Sequence, residues 1–147
     1  MSALEILIRL LKISEGCRLN SYQDVGGVWT IGYGQTLGIT DGMTWTQQQA
    51  DDDLFATALK VLEQTLGASP VLIDETIQRQ AAIADFIYNV GFGAYKKSTL
   101  KTKVDEKDWV GAASEVKRWN KVNGKPMRGL TVRRLKEANL LLNGVSF

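Results

Sequence analysis

The chain has 147 residues, 44% of them apolar, with a formal net charge of +2, so it is long and apolar enough to fold as one compact domain rather than remain disordered. It contains no histidine and one cysteine, Cys17, which excludes an internal disulfide framework, offers poor material for a zinc or copper site, and rules out Ser-His-Asp and Cys-His catalysis. Acid–base work at neutral pH therefore falls to Asp, Glu, Lys or Tyr, with carboxylates the leading candidates.

Leu4, Leu7, Ile8 and Leu11 recur at helical spacing, and Gly16 can end that helix in a positive-φ cap. Glu5, Arg9 and Lys12 interrupt the stretch, so it reads neither as a signal-peptide core nor as a membrane span. Glu15, four residues beyond Leu11, puts a carboxylate at the end of the apolar stripe, where it is either a protonated acid favoured by partial burial or a frayed, solvated glutamate in the last turn. From Cys17 to Ile39 the pattern changes to strand and turn, with Gly26-Gly27 as a tight connection. Over Val28 to Gly34, Trp29, Ile31 and Tyr33 face one way, leaving Val28, Thr30, Gly32 and Gly34 on a small, nearly bare face. Such a face either admits an extended ligand close to the backbone or permits tight packing against another element.

Thr46 and Gln49 form a capping box ahead of a helix carrying Leu54, Ala58, Leu62 and Thr65, through about Leu66. Asp51, Asp52 and Asp53 near its start suit the helix dipole and read as solvated helix surface rather than a metal site. Residues Gly67 to Pro70 break the pattern. Ile77 to Val90 is apolar on several sides, as a central helix would be, and ends at Gly91. Asp105 can cap a helix bearing Trp109, Ala112, Ala113, Val116 and Trp119, whose tryptophans read as core. Thr131 can cap a last helix with Leu135, Ala138 and Leu142 on one stripe and Gly144 at its end. Charge is uneven along the chain: residues 1–73 hold four Lys/Arg against eight Asp/Glu, and residues 74–147 hold fourteen against eight. The basic second half favours an anionic partner such as cell-wall polymer, lipid headgroup or nucleic acid, or is simply a mixed, solvated surface.

The densest chemistry lies in residues 15–34, E-G-C-R-L-N-S-Y-Q-D-V-G-G-V-W-T-I-G-Y-G. A helix end, a turn and a short strand can bring an acid, a second carboxylate and a hydroxyl to one cleft wall, the set that glycosidic hydrolysis requires. This stretch, with Glu15, Asp24 and Thr30 at fixed spacing ahead of Ile-Gly-x-Gly, resembles the phage-type lysozyme family, the muramidase endolysins of tailed bacteriophages. Residues 80–91, 98–100 and 124–138 are similar to the family's later segments, so the likeness covers nearly the whole chain.

The resemblance implies a single domain over residues 1–147 of α+β, predominantly helical class. It would have a small antiparallel sheet in an N-terminal lobe of about residues 15–60 and a helical lobe of about residues 1–14 plus 67–147, with a peptidoglycan cleft between them. It also implies hydrolysis of the β-1,4 bond between N-acetylmuramic acid and N-acetylglucosamine. Glu15 would be the general acid, Asp24 and Thr30 would hold and activate water, and no cofactor or metal would be needed. Use of a bound water implies inversion, with carboxyl groups about 6.5–9.5 Å apart. Alternatives are a non-hydrolytic lytic transglycosylase, an inactive wall-binding protein of the same fold, and a nucleic-acid module.

Substrate would run along Gly32, Gly34 and Asn89, although Asn89 could equally satisfy local backbone at a helix end. At least one of Arg133 and Arg134 is expected to pair within the helical lobe. Gln35 stands where the family commonly has histidine, a change expected to bear on stability and pH profile. Cys17 reads as a small, partly buried residue beside the cleft. A monomer is expected, with no specific nucleic-acid partner. Synthesis is expected in the host bacterial cytoplasm, with access to the wall through a separate holin-type membrane protein.

Overall fold

The computed structural model describes residues 1–143, and Gly144 lies outside them. Helix α1 spans Ala3–Glu15, capped by Ser2, whose hydroxyl accepts from the Glu5 amide, and closed by Gly16 at φ 66°. An antiparallel hairpin follows, β1 at Arg18–Gln23 and β2 at Trp29–Gly32. Beside it, residues 43–45 run along β1, with the Ser21 amide donating to Met43 O and the Trp45 amide to Leu19 O.

Helix α2, Gln47–Ala68, opens on the expected capping box between Thr46 and Gln49. A 3-10 turn at Pro70–Asp74 leads to α3, Ile77–Val90, and then to α4, Phe92–Lys96, and α5, Thr99–Asp105. Helix α6, Trp109–Val116, is followed by a two-residue hairpin, β3 at Lys121–Val122 and β4 at Lys125–Pro126, and by α7, Arg128–Asn143. The fold is predominantly helical with small antiparallel sheets, as the sequence led us to expect.

Helix α3 is the hub, packed by α1, α2 and α7. Residues Ala81 to Ile87 are all buried, and three alanines among them let neighbouring helices approach closely. Phe86 meets Trp119 edge-on at 5.3 Å between centroids and Tyr95 at 6.3 Å. Each large side chain enclosed here stabilises the fold by about 1.5–3 kcal/mol relative to exposure. Trp109 and Trp119 pack against this core, matching their reading as structural residues.

Several local expectations need correction. Asp105 ends α5 and pairs with Lys101, whereas Asp108 is the N-cap of α6, its carboxylate accepting from the Gly111 amide at 2.9 Å. Helix α7 begins three residues before Thr131, which instead accepts a bond from Asn120 Nδ2 at 3.0 Å. On α7, Ala138 is buried, but Leu135 and Leu142 are exposed; its inner face carries Arg133, Arg134, Glu137, Leu140 and Leu141. Paired charges take positions that a search for apolar spacing passes over. Asp51 and Asp53 do more than decorate α2, since Asp51 accepts from the Tyr33 hydroxyl at 3.0 Å and Asp53 from Gln35 Nε2 at 2.9 Å. Cys17 is exposed rather than partly buried.

Candidate active site

The hairpin turn is built by Asp24. Its Oδ1 accepts from the amides of Gly26 at 2.9 Å and Val28 at 2.8 Å, while its own amide donates to Val28 O at 2.9 Å. The carboxylate thereby closes the tight connection expected at Gly26-Gly27, and Gly27 supplies the positive φ of 79°. Thr30 stands across from Tyr22 in the sheet, 4% exposed, with its hydroxyl donating to Val28 O at 2.9 Å. Both oxygen-bearing side chains are thus set by bonds within a few residues of their own positions.

The expected alternation along Val28 to Gly34 does not continue past Gly32. Thr30, Ile31 and Gly32 are all buried, so β2 has no bare face. The strand ends there because Gly32 turns at φ 64° and Gly34 at φ 103°, while Ile31 and Gln35 exchange backbone bonds of 2.9 Å across the turn. A Cβ on Gly32 would meet the Trp45 ring at 2.8 Å, so this glycine serves close packing. Gly34 has nothing within 4 Å of such a Cβ and faces open space.

Gln35 fixes the loop after the turn. Its Oε1 accepts from the amides of Thr36 and Leu37, both at 3.0 Å, while its Nε2 reaches Asp53. The Tyr88 hydroxyl donates to Tyr33 O at 2.8 Å, tying the same loop to α3. Burial, then the negative charges of Glu15 and Asp53, push the Tyr88 hydroxyl up to about 12, so it remains a proton donor at neutral pH. Burial and a bond to Asp51 likewise push Tyr33 up to about 12.

Glu15 ends α1 and lines two cavities. One, of about 350 Å³, is lined by Glu15, Tyr33, Gly34, Gln35, Asn89 and Phe92 among others. The second, of about 750 Å³, shares Glu15 and Asn89 and continues along Ile13, Met127, Leu130 and Arg133. Of the residues expected at the site, Glu15, Gly34 and Asn89 therefore line one cavity. Asp24 and Thr30 belong to the hairpin and line neither cavity, and Gly32 lies beneath Trp45.

The Glu15 side chain is 23% exposed, and Arg133 Nη1 donates to its Oε1 at 2.6 Å. Its surroundings are therefore partly dry, as expected, but they are built from a guanidinium rather than from apolar side chains alone. The negative end of the α1 dipole and the positive Arg133 act on this carboxyl in opposite senses. Arg133 is in turn held by Asp85, Nε to Oδ2 and Nη2 to Oδ1, both at 3.0 Å. Burial alone works against the Arg133 charge, but bonds and charges from Asp85 and Glu15 push its pKa well above the ordinary arginine value. Beside it, Arg134 and Glu137 are fully enclosed, with Nε 2.8 Å from Oε1 and Nη2 donating to Oε2 at 3.1 Å. Both arginines therefore pair within the helical part.

Sequence reasoning missed Asp85 and Glu137. The signal for Asp85 was present, a carboxylate inside the apolar run Ala81–Ile87, where a charge survives only with a partner.

The phage lysozyme family model matches residues 12–137. This chain belongs to the phage lysozyme family. As a lysozyme-family enzyme it is 37% identical over 135 residues to an endolysin of Acyrthosiphon pisum secondary endosymbiont phage 1, covering 89% of this chain and 91% of the relative. It is 37% identical over 131 residues to a SAR-endolysin of Bacteriophage PS119, covering 88% of this chain and 77% of that protein. Among solved structures, an endolysin from Escherichia coli O157:H7 phage FAHEc1 superposes with a TM-score of 0.86 at 30% identity, covering 100% of this chain and 97% of the other. No helix among the described residues of this lysozyme-family chain is long and apolar enough to cross a membrane.

Proposed function

We propose that this phage lysozyme family member hydrolyses the β-1,4 bond between N-acetylmuramic acid and N-acetylglucosamine in bacterial peptidoglycan, with inversion. The observation that carries the reading is the position of Glu15 in the lining of both cavities, partly enclosed and held by Arg133. Glu15 protonates the leaving glycosidic oxygen, the bond from the anomeric carbon to that oxygen breaks, and water attacks from the opposite face. Asp24 takes the water's proton, and Thr30 helps hold that water through the lone pairs left by its bond to Val28 O. This division asks the two carboxyl groups to stand about 6.5–9.5 Å apart.

The glycan passes Gly34 by close backbone approach and Asn89 by amide bonds to acetamido or hydroxyl groups. Gly32, named by the sequence as a glycan contact, contributes through the turn it allows under Trp45. The division into an N-terminal lobe of about residues 15–60 and a helical lobe of about residues 1–14 plus 67–147 belongs to the same proposal. So do a monomeric state, the absence of a specific nucleic-acid partner, and access to the wall through a separate membrane-permeabilising protein. Passage of the isolated chain across an intact inner membrane would overturn that last element.

Mass spectrometry of peptidoglycan digested by wild type and by Glu15→Gln tests the core of the reading. Wild type should give new reducing ends with inverted configuration at the anomeric carbon, and Glu15→Gln should lose roughly 10²–10⁴-fold in rate while staying folded. Anhydro ends in place of reducing ends would make the enzyme a transglycosylase, and a Glu15→Gln variant clearing walls at the wild-type rate would remove Glu15 from the acid role.

A further inference from the structure

Asp85 lies at the middle of α3, 1% exposed, and grips Arg133 with two bonds of 3.0 Å. The remaining guanidinium nitrogen, Nη1, reaches Glu15 at 2.6 Å. One planar cation therefore spans a buried carboxylate on α3 and the cleft carboxyl on α1, and the fork geometry of arginine is what permits both at once. With two of its nitrogens fixed by Asp85, the guanidinium has little freedom in how it meets Glu15.

Arg133 also divides its charge between the two acids. The other charged or titratable groups around this cluster are Tyr88 on α3, Arg128, Arg134, Lys136 and Glu137 on α7, Asp53 on α2, and Tyr33 in the loop after β2. The Glu137 carboxyl is pushed up, first by burial and then by Asp85, while Arg134, which it bridges, holds that shift back. Lys12 on α1 pairs with Asp51, and Glu115 on α6 pairs with Arg118, so neither joins the cluster.

We propose that Asp85 is a positioning residue for the reaction, fixing Arg133 in place and drawing off part of its charge so that Glu15 meets an oriented, partly neutralised guanidinium. The inference rests on Glu15 being the general acid. Asp85 touches no substrate and acts only through Arg133.

Its test is the pH profile of kcat/KM on soluble peptidoglycan fragments. In Asp85→Asn the guanidinium keeps its full charge beside Glu15 and favours the ionised carboxylate. The alkaline limb, where a general acid gives up its proton, should move down by roughly one pH unit, and kcat should fall more than KM rises. A purely structural Asp85 would lower stability and leave that limb in place, and this result would overturn the proposal.

The double variant Asp85→Asn with Arg133→Gln removes both buried charges together and serves if the single variant does not fold. Without the guanidinium, the limb should lie above that of wild type by a similar amount, and a limb at the wild-type position would also overturn the proposal. Where all variants fold, adding Asp85→Asn to Arg133→Gln should shift the limb no further, because Asp85 then has nothing to act through. Failure of the underlying reading is separable: Glu15→Gln would then retain activity, whereas failure of this proposal alone leaves Glu15→Gln inactive and the Asp85→Asn limb unmoved.

Discussion

The hairpin and the helical wall hold their functional side chains in opposite ways. Asp24 and Thr30 are fixed by bonds to Gly26 and Val28, within four residues of themselves. Glu15 is held by a guanidinium 118 residues further along the chain, which is itself held by Asp85. A locally determined group keeps its geometry as long as its turn forms, whereas a group held from afar depends on three helices packing correctly. The first kind of site should be cheap to perturb and the second expensive.

The largest expected effect falls on the helical wall. Arg134→Met leaves Glu137 buried without its guanidinium and should lower the unfolding free energy by about 3–5 kcal/mol in urea titrations. Replacing Glu137 by leucine in the same chain should recover most of that loss, and a double variant no better than the single would break the ion-pair account. Gly32→Ala comes next, at about 2–4 kcal/mol, because it forces a side chain into a positive-φ position and against the Trp45 ring.

The pH dependence sharpens the comparison further. The Glu137 carboxyl is raised well above its ordinary value of 4.5 by burial and then by Asp85. A group raised in this way contributes its full stability below its unfolded value and loses it as pH rises through its folded value. Glu137→Gln, which cannot ionise, should therefore flatten the decline in stability above about pH 4.5, and unfolding curves taken across the neutral range would show a slope unlike that of wild type. The smallest stability effect is expected at the hairpin turn. Asp24→Ala removes two exposed turn bonds and should cost about 1 kcal/mol, while wall-clearing activity falls far more. Equal stability losses for Asp24→Ala and Arg134→Met would break the contrast between the two walls.

The same contrast explains what the sequence could show. Helices α1, α2 and α3 announced themselves through apolar spacing, the Thr46–Gln49 box and terminal glycines, because these signals are local. The turn at Gly26-Gly27 was legible for the same reason, although the part Asp24 plays in building it was not. At the start of α6 the sequence offered Asp105 as the cap, but α5 ends there and the cap is Asp108. The strands of β3 and β4 are two residues each, too short to carry a period. Helix α7 was misread because its inner face holds Arg133, Arg134 and Glu137, whose burial depends on partners that no spacing within α7 reveals. Gly32 and Gly34 looked alike in sequence, and the position of Trp45 separates them.

The reach from Glu15 to Arg133 also bears on how the enzyme comes into being. A ribosome delivers α1 and the hairpin early, so Glu15, Asp24 and Thr30 exist long before the residue that grips the acid. Until α7 has been synthesised and docked on α3, Glu15 is an ordinary glutamate at the end of a helix. Copies that stop short of α7 therefore carry every residue proposed for the chemistry without the clasp that arranges them, and the finished site emerges only with α7.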